Sequence, residues 1–304
     1  QIFILSLIIG FLEDSGYLAR AAIICHKPLG FFGLSGRSFI PLLTGHACAI
    51  PAILAARNIE SPKKRFLTII TVPFTVCSAR LPVYSVLIAA LIPSTSFYGI
   101  IGYQGLAFFA MYAFGIMMAL IVSKISSSFS YSKFKEDAPF ILELPPYRLP
   151  NFSSQFRKAY SSSISFVTKA GLMIFIVNLI VWVLGYLPNG SDDLSQSYLA
   201  VLGKWIEPLF LPMDLDWKYG VAILASFLAR EVFVGSLGTL FGIEEAGDNI
   251  EGLTSTIQNS GLSLASGVAL LVFYGIAMQC VSTLAIIRKE TGSNKVPFFV
   301  FIGY

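Results

Sequence analysis

Three thiols, one imidazole and two adjacent carboxylates stand out in a sequence that is otherwise largely apolar. Cys48 lies in Gly45-His46-Ala47-Cys48-Ala49-Ile50-Pro51, and Cys77 in Pro73-Phe74-Thr75-Val76-Cys77-Ser78-Ala79-Arg80-Leu81-Pro82. Both sit beside helix-breaking Gly or Pro, and Cys280 follows the polar Gln279 in a third apolar run. Backbone broken at membrane depth leaves amides and carbonyls that only protein or a wet cavity can satisfy, and transporters place substrate sites at such breaks. Thiolate and imidazole donors suit Fe, Zn and Cu(I) far better than Mg or Ca, so a transition metal is the cargo these residues would take. The competing reading of any one buried Cys is a small hydrophobe in helix packing. His46 is either a further ligand or the cap of a broken helix turn.

Charges inside apolar runs carry a second signal, because ions at that depth are costly and mark a pathway or a buried pair. Glu13 and Asp14 interrupt the run Gln1 to Cys25 and would attract cations or accept hydrogen bonds from a broken helix end. Arg20, Arg80 and the neighbours Arg230-Glu231 read as paired locks that hold hairpins together, since a fixed cation repels a metal ion. Cys25 and His26 fall at the membrane edge. A catalytic alternative, Cys48 as nucleophile with His46, needs irregular backbone, because side chains two apart on a helix do not face each other. Gly30 to Ser38 imitates a phosphate-binding loop, but its glycines are one residue too far apart, Arg37 replaces Lys and no strand precedes it. The sequence predicts no catalytic site.

The elements that must carry these residues are membrane helices. Of 304 residues, 55% are hydrophobic and 12% charged, against about 25% charged in soluble domains, and mean hydropathy is +0.74. The fold class expected is all-α, a polytopic helical membrane protein. Net charge is +4, with the positives in loops, which does not imply nucleic acid. The four cysteines lack the paired spacing of a disulfide framework. Both ends read as cut, so the sequence predicts a fragment of a longer chain.

Charge flanks set the topology. Basic loops stay cytoplasmic, so the broken run 38–56, flanked by Arg37 and Arg57, reads as a hairpin entering and leaving on the cytoplasmic side. Helices follow over 66–92 and 103–122, completing a first repeat at 1–122. A basic, amphipathic cytoplasmic linker spans 123–169, part of it on the membrane surface. The second repeat, 170–304, holds a helix, an outer-side hairpin at 218–241 with non-basic flanks, a helix at 262–287 and a last truncated helix. Its order mirrors the first with opposite entry sides, the inverted-repeat pattern of transporters with broken or re-entrant helices. Counting ~1.5 Å per residue places Cys48 at ~12 Å, Cys77 at ~18 Å and Cys280 at ~12 Å from the cytoplasmic edge of a core ~30 Å thick.

Leu12-Glu13-Asp14-Ser15-Gly16-Tyr17-Leu18-Ala19-Arg20, Gly33-Leu34-Ser35-Gly36-Arg37-Ser38, Cys48-Ala49-Ile50-Pro51 and Cys77-Ser78-Ala79-Arg80-Leu81-Pro82 resemble the membrane domain of the ferrous iron transport protein B (FeoB) family. So do Glu143-Leu144-Pro145-Pro146-Tyr147-Arg148, Ala229-Arg230-Glu231-Val232, Cys280-Val281-Ser282-Thr283 and Arg288-Lys289-Glu290-Thr291-Gly292-Ser293. The resemblance implies a bacterial inner-membrane, multi-pass Fe2+ importer with two opposed gate repeats. Its implied metal residues are Cys48, Cys77 and Cys280, with Glu13 and Asp14 as acids of the metal path. GTP and Mg2+ belong to an N-terminal GTPase domain outside this sequence. That domain, small cytoplasmic companion proteins, lipid and further copies of the chain are the implied partners. Gly45-His46-Ala47 departs from the family's Gly-Phe-Gly, so His46 either adds a ligand or changes packing. The gate repeat is shared with nucleoside and small organic solute transporters, the alternative function. Such a site would set polar amides at the breaks, where this sequence has few beyond Asn178 and Gln279.

Overall fold

The computed structural model describes residues 2–93, 96–97, 101–129, 146–187, 197–227, 230, 232–242, 250–260, 262–277 and 280–303. Among them every element is helical except a two-residue antiparallel pair, Ser96–Phe97 with Ile101–Gly102. The protein is an all-α membrane protein. Among the described residues three helical segments are long and apolar enough to cross a bilayer: Pro62–Leu91, Tyr103–Ser128 and Leu264–Thr291.

Broken helices dominate. The expected first helix divides into α1 (Ile2–Asp14) and α2 (Tyr17–Ile24). The cause is Gly16, which adopts φ 81°, a left-handed conformation open mainly to glycine. The short α3 (His26–Phe31) leads to a turn at Gly36–Ser38, closed by a reciprocal Ser35–Ser38 capping box. The first hairpin is α4 (Phe39–Gly45) and α5 (Ala49–Ala55), with residues 46–48 as its break. Then α6 (Pro62–Thr71) starts on the Ser61 cap with Pro62 in its first turn, where proline's missing N–H costs nothing. It breaks at the Pro73 turn and resumes as α7 (Leu81–Leu91). The unbroken α8 (Tyr103–Phe129) has 27 residues, ~40 Å at helical rise and longer than a hydrocarbon core needs.

The second half repeats the theme. Here α9 (Phe152–Phe166), capped by Asn151, runs through a π-turn at Val167–Gly171 into α10 (Leu172–Tyr186). The non-basic flanks of the second hairpin contain helices, α11 (Tyr198–Phe210) before it and α14 (Ile250–Asn259) after it. The hairpin is α12 (Trp217–Ser226) and α13 (Val232–Leu240). The next crossing breaks after α15 (Leu264–Ile276) and resumes as α16 (Val281–Thr291), followed by α17 (Lys295–Gly303).

The chain forms two compact units, one of Gln1–Ser78, Phe114–Lys169 and Ser282–Tyr304, the other of Ala79–Ala113 and Ala170–Val281. In the first, α9 lies antiparallel on α1: Phe3 meets Phe156 at 5.3 Å and Phe11 meets Phe152 at 5.6 Å between ring centres. The amphipathic run of the linker thus puts its aromatic face on a helix. Gly36 is pressed against α2, where an added Cβ would lie 2.2 Å from the Ala22 carbonyl oxygen. In the second unit α7 packs on α14 and α15, and Gly267 of α15 admits Leu91, whose Cδ2 would be 2.3 Å from a Cβ there.

Gly36→Ala therefore forces backbone apart and is expected to cost about 1–3 kcal/mol, the usual range for overpacking. Gly30→Ala, where an added Cβ meets nothing within 4 Å, is the control. Thermal unfolding of both variants in detergent measures the difference.

Candidate functional site

The cysteine-bearing breaks are where the polar chemistry gathers. A helix end leaves carbonyls unbonded, and each break engages them with side chains. In the first unit, α4 ends at Gly45 and the ring of His46 turns back so that its Nδ1 meets the Leu42 oxygen at 2.9 Å. An N–H at Nδ1 that donates to that carbonyl leaves Nε2 as the basic nitrogen. Two carbonyls of the break itself are taken by one residue of the opposite break: Ser78 donates its N–H to His46 O at 2.9 Å and its hydroxyl to Ala47 O at 3.0 Å.

This joint is tight. An added Cβ on Gly45 would stand 2.4 Å from Thr75 Oγ1, with every other atom at 3.5 Å or beyond. Thr75 is buried and its hydroxyl donates to Val72 O at 2.7 Å. Cys48 directly follows Ala47, and Cys77 directly precedes Ser78, so both thiols flank the same stitched junction. Cys48 is extended, at φ −159° and ψ 134°, and caps α5. Cys25, Cys48, Cys77 and Cys280 are all half-buried and none is in a disulfide.

In the second unit the end of α15 is held by arginines. Arg80, fully buried, donates from Nη1 to Gly275 O at 2.8 Å, and Arg230 donates from Nη2 to Ala277 O at 2.9 Å. Cys280 follows three residues on. Tyr274 adds a neutral tie, its hydroxyl 3.0 Å from Ser226 Oγ and its ring 4.8 Å from that of Phe233. Glu231 lies outside the described residues.

Asp14 and Arg20 make separate contacts at the end of α1 with Arg148, Tyr147 and Asn151. Both Asp14 carboxylate oxygens are engaged, one by Arg148 and the other by the Asn151 N–H at 2.9 Å. Arg20 donates to Gly16 O at 3.1 Å and stacks its guanidinium 3.5 Å from the Tyr147 ring centre. The Glu13 side chain is exposed. The structure brings Cys48, Cys77 and His46 to one joint. It sets Asp14 and Arg20 against the linker, leaves Glu13 exposed, and puts Arg80 and Arg230 on the helix end before Cys280. Among the described residues, no three His, Cys, Asp or Glu side chains form a group that could hold a metal ion.

Two contacts escaped sequence reasoning. Ser78 reads there only as a polar neighbour of Cys77, yet it closes the first joint. Glu290 ends a basic cluster, and its nearly buried carboxylate takes Arg57 Nε at 2.9 Å and Arg65 Nη2 at 3.5 Å. That bond and charge raise the Arg57 pKa further above its ordinary value. An acid closing a run of bases was the available signal.

The Gate family, described as nucleoside recognition, matches residues 1–91 and 167–294, which include both joints. The family described as ferrous iron transport protein B C terminus matches residues 108–161. A protein of Leptospira biflexa named Fe(2+) transporter FeoB is 41% identical over 99% of this chain and 46% of its own length. Proteins of that name from Leptospira interrogans and Staphylococcus aureus are 37% and 38% identical, over 99% and 97% of this chain. The chain belongs to the FeoB family. It spans less than half the length of these FeoB relatives. No solved structure matches.

Gly45→Ala in this FeoB chain should loosen the first joint, because Thr75 Oγ1 must move from its bond to Val72 O. Adding Thr75→Ala removes the obstructing oxygen at the expense of one hydrogen bond, worth about 1 kcal/mol. The expected order of melting temperature is wild type, then the double variant, then Gly45→Ala alone. Maleimide labelling of Cys48 and Cys77 should be fastest in the single variant.

Proposed function

We propose that this chain is the membrane permeation domain of a GTPase-coupled ferrous iron importer of the bacterial inner membrane. Fe2+ is its substrate, passed through a mid-membrane path lined by Cys48, Cys77 and Cys280, with His46 contributing through Nε2. The observation that carries this reading is the first joint, where two thiol-bearing breaks are sewn together by Ser78. The relatives' printed name, Fe(2+) transporter FeoB, supports iron as the cargo. Sulfur and imidazole bind Fe2+ well enough to strip its water, and an incomplete ligand set lets it leave.

Glu13 and Asp14 form an acidic element of the route, with Asp14 also anchoring the linker through Arg148 and Asn151. Arg20, Arg80, Arg230 and Glu231 hold the gates. The two hairpins and the broken crossings after them form inverted repeats in this reading, α4 and α5 with α6 and α7 in one, α12 and α13 with α15 and α16 in the other. GTP with Mg2+ acts in a domain outside this sequence and biases the gates, assisted by small cytoplasmic companion proteins.

A second reading, uptake of a nucleoside or small organic solute, is favoured by the description of the Gate family. The chemistry of the first joint speaks against it, since its donors are Ser, Thr, His and Cys where a base-reading site needs amides.

The test is uptake by the full-length protein in liposomes. Cys48→Ser and Cys77→Ser should each lower Fe2+ uptake at least tenfold, with a similar loss for Cys280→Ser, and uridine should not enter. Wild-type iron rates in all three variants would remove the thiols from the mechanism, and uridine uptake would favour the second reading.

A further inference from the structure

We infer that Ser78, with Arg80 and Arg230, sets the selectivity of this pathway by keeping the break carbonyls away from hard cations. The inference rests on the reading of the chain as an Fe2+ route. Broken helices in membranes ordinarily offer their unwound carbonyls to ions: half-helix C-terminal ends coordinate Na+ in transporters, rings of carbonyls replace the hydration shell of K+ in channels, and Ca2+ takes oxygen ligands, carbonyls among them. A chain with such breaks would be expected to leak these ions unless the oxygens were occupied.

Here five of these oxygens are occupied. Leu42 O faces the His46 ring, His46 O takes the Ser78 N–H, and Ala47 O takes the Ser78 hydroxyl. In the second unit Gly275 O and Ala277 O are each bonded by a buried guanidinium. A carbonyl keeps a second lone pair, but a cation using it would sit beside the positive end of an N–H or O–H dipole, or beside a full positive charge. A neutral carbonyl offers nothing to offset that. A thiolate does, because it brings its own negative charge. The joints therefore withdraw oxygen and leave sulfur as the donor, which turns away Na+, Mg2+ and Ca2+ while leaving Fe2+ a ligand.

Ser78 is the residue to change, since it reaches two carbonyls and is not itself a proposed ligand. Ser78→Ala frees Ala47 O, and Ser78→Thr keeps the hydroxyl. In liposomes holding the full-length protein, the ratio of Fe2+ to Ca2+ uptake is measured with radioactive tracers for wild type, both Ser78 variants and Arg230→Gln. The expected result is a ratio lowered at least tenfold by Ser78→Ala and Arg230→Gln, through gained Ca2+ entry as well as any loss of Fe2+ entry, and restored by Ser78→Thr. Variants that run as monodisperse protein yet exclude Ca2+ as the wild type does would overturn the inference. So would Ca2+ leakage in Ser78→Thr equal to that in Ser78→Ala. Absence of Fe2+ uptake by the wild type would instead overturn the functional reading beneath it.

Discussion

Every broken helix in an apolar segment must find partners for the carbonyls it exposes, and this one requirement organises the structure. Water is absent from the hydrocarbon core, and an unsatisfied polar group there costs several kcal/mol. The first unit meets the requirement with the ring of His46 and the two groups of Ser78. The second meets it with Arg80 and Arg230. Hydrogen bonds from charged groups contribute about 1.5–3 kcal/mol each, so the guanidiniums are stronger fasteners, and they keep a positive charge inside the fold. Both solutions tie a hairpin break or a following helix to a cysteine-bearing break.

Much of this was legible in the sequence. The hairpin over 38–56 follows from Pro41, Gly45 and Pro51, and α4 and α5 fill that span with a break at 46–48. The crossings at 66–92 and 262–287 follow from apolar length, and the interruption of the first from Pro73; the division of the second into α15 and α16 has no proline to announce it. Propensity and hydropathy are local properties, and these features are local too. The helix expected over the first 25 residues failed at Gly16, because periodicity does not report that a glycine will turn left-handed. Helices α11 and α14 are not legible in the non-basic flanks of the second hairpin, since acidic residues mask apolar faces that tertiary packing nevertheless buries, as at Leu253 and Ile257.

The site was legible by residue type and not by partner. Cys48 and Cys77 could be placed at similar depth by counting residues, but nothing in the spacing says that Ser78 would hold the carbonyls of His46 and Ala47. That contact joins residues more than thirty apart, and it depends on how closely Gly45 approaches Thr75. Asp14 shows the same limit. A carboxylate in an apolar run suggests a cation, and the cations it meets are Arg148 of the linker and, through an N–H dipole, the capped start of α9.

The extended backbone of Cys48 has a mechanical consequence. A thiol carried on a continuous helix can be re-aimed only by rolling the whole rod or changing rotamer. This sulfur is borne where two short rods meet, and the peptide before it is pinned by Ser78 at the Ala47 oxygen and by Thr44 O at the Cys48 N–H, so its aim follows the joint and shifts only when that joint opens.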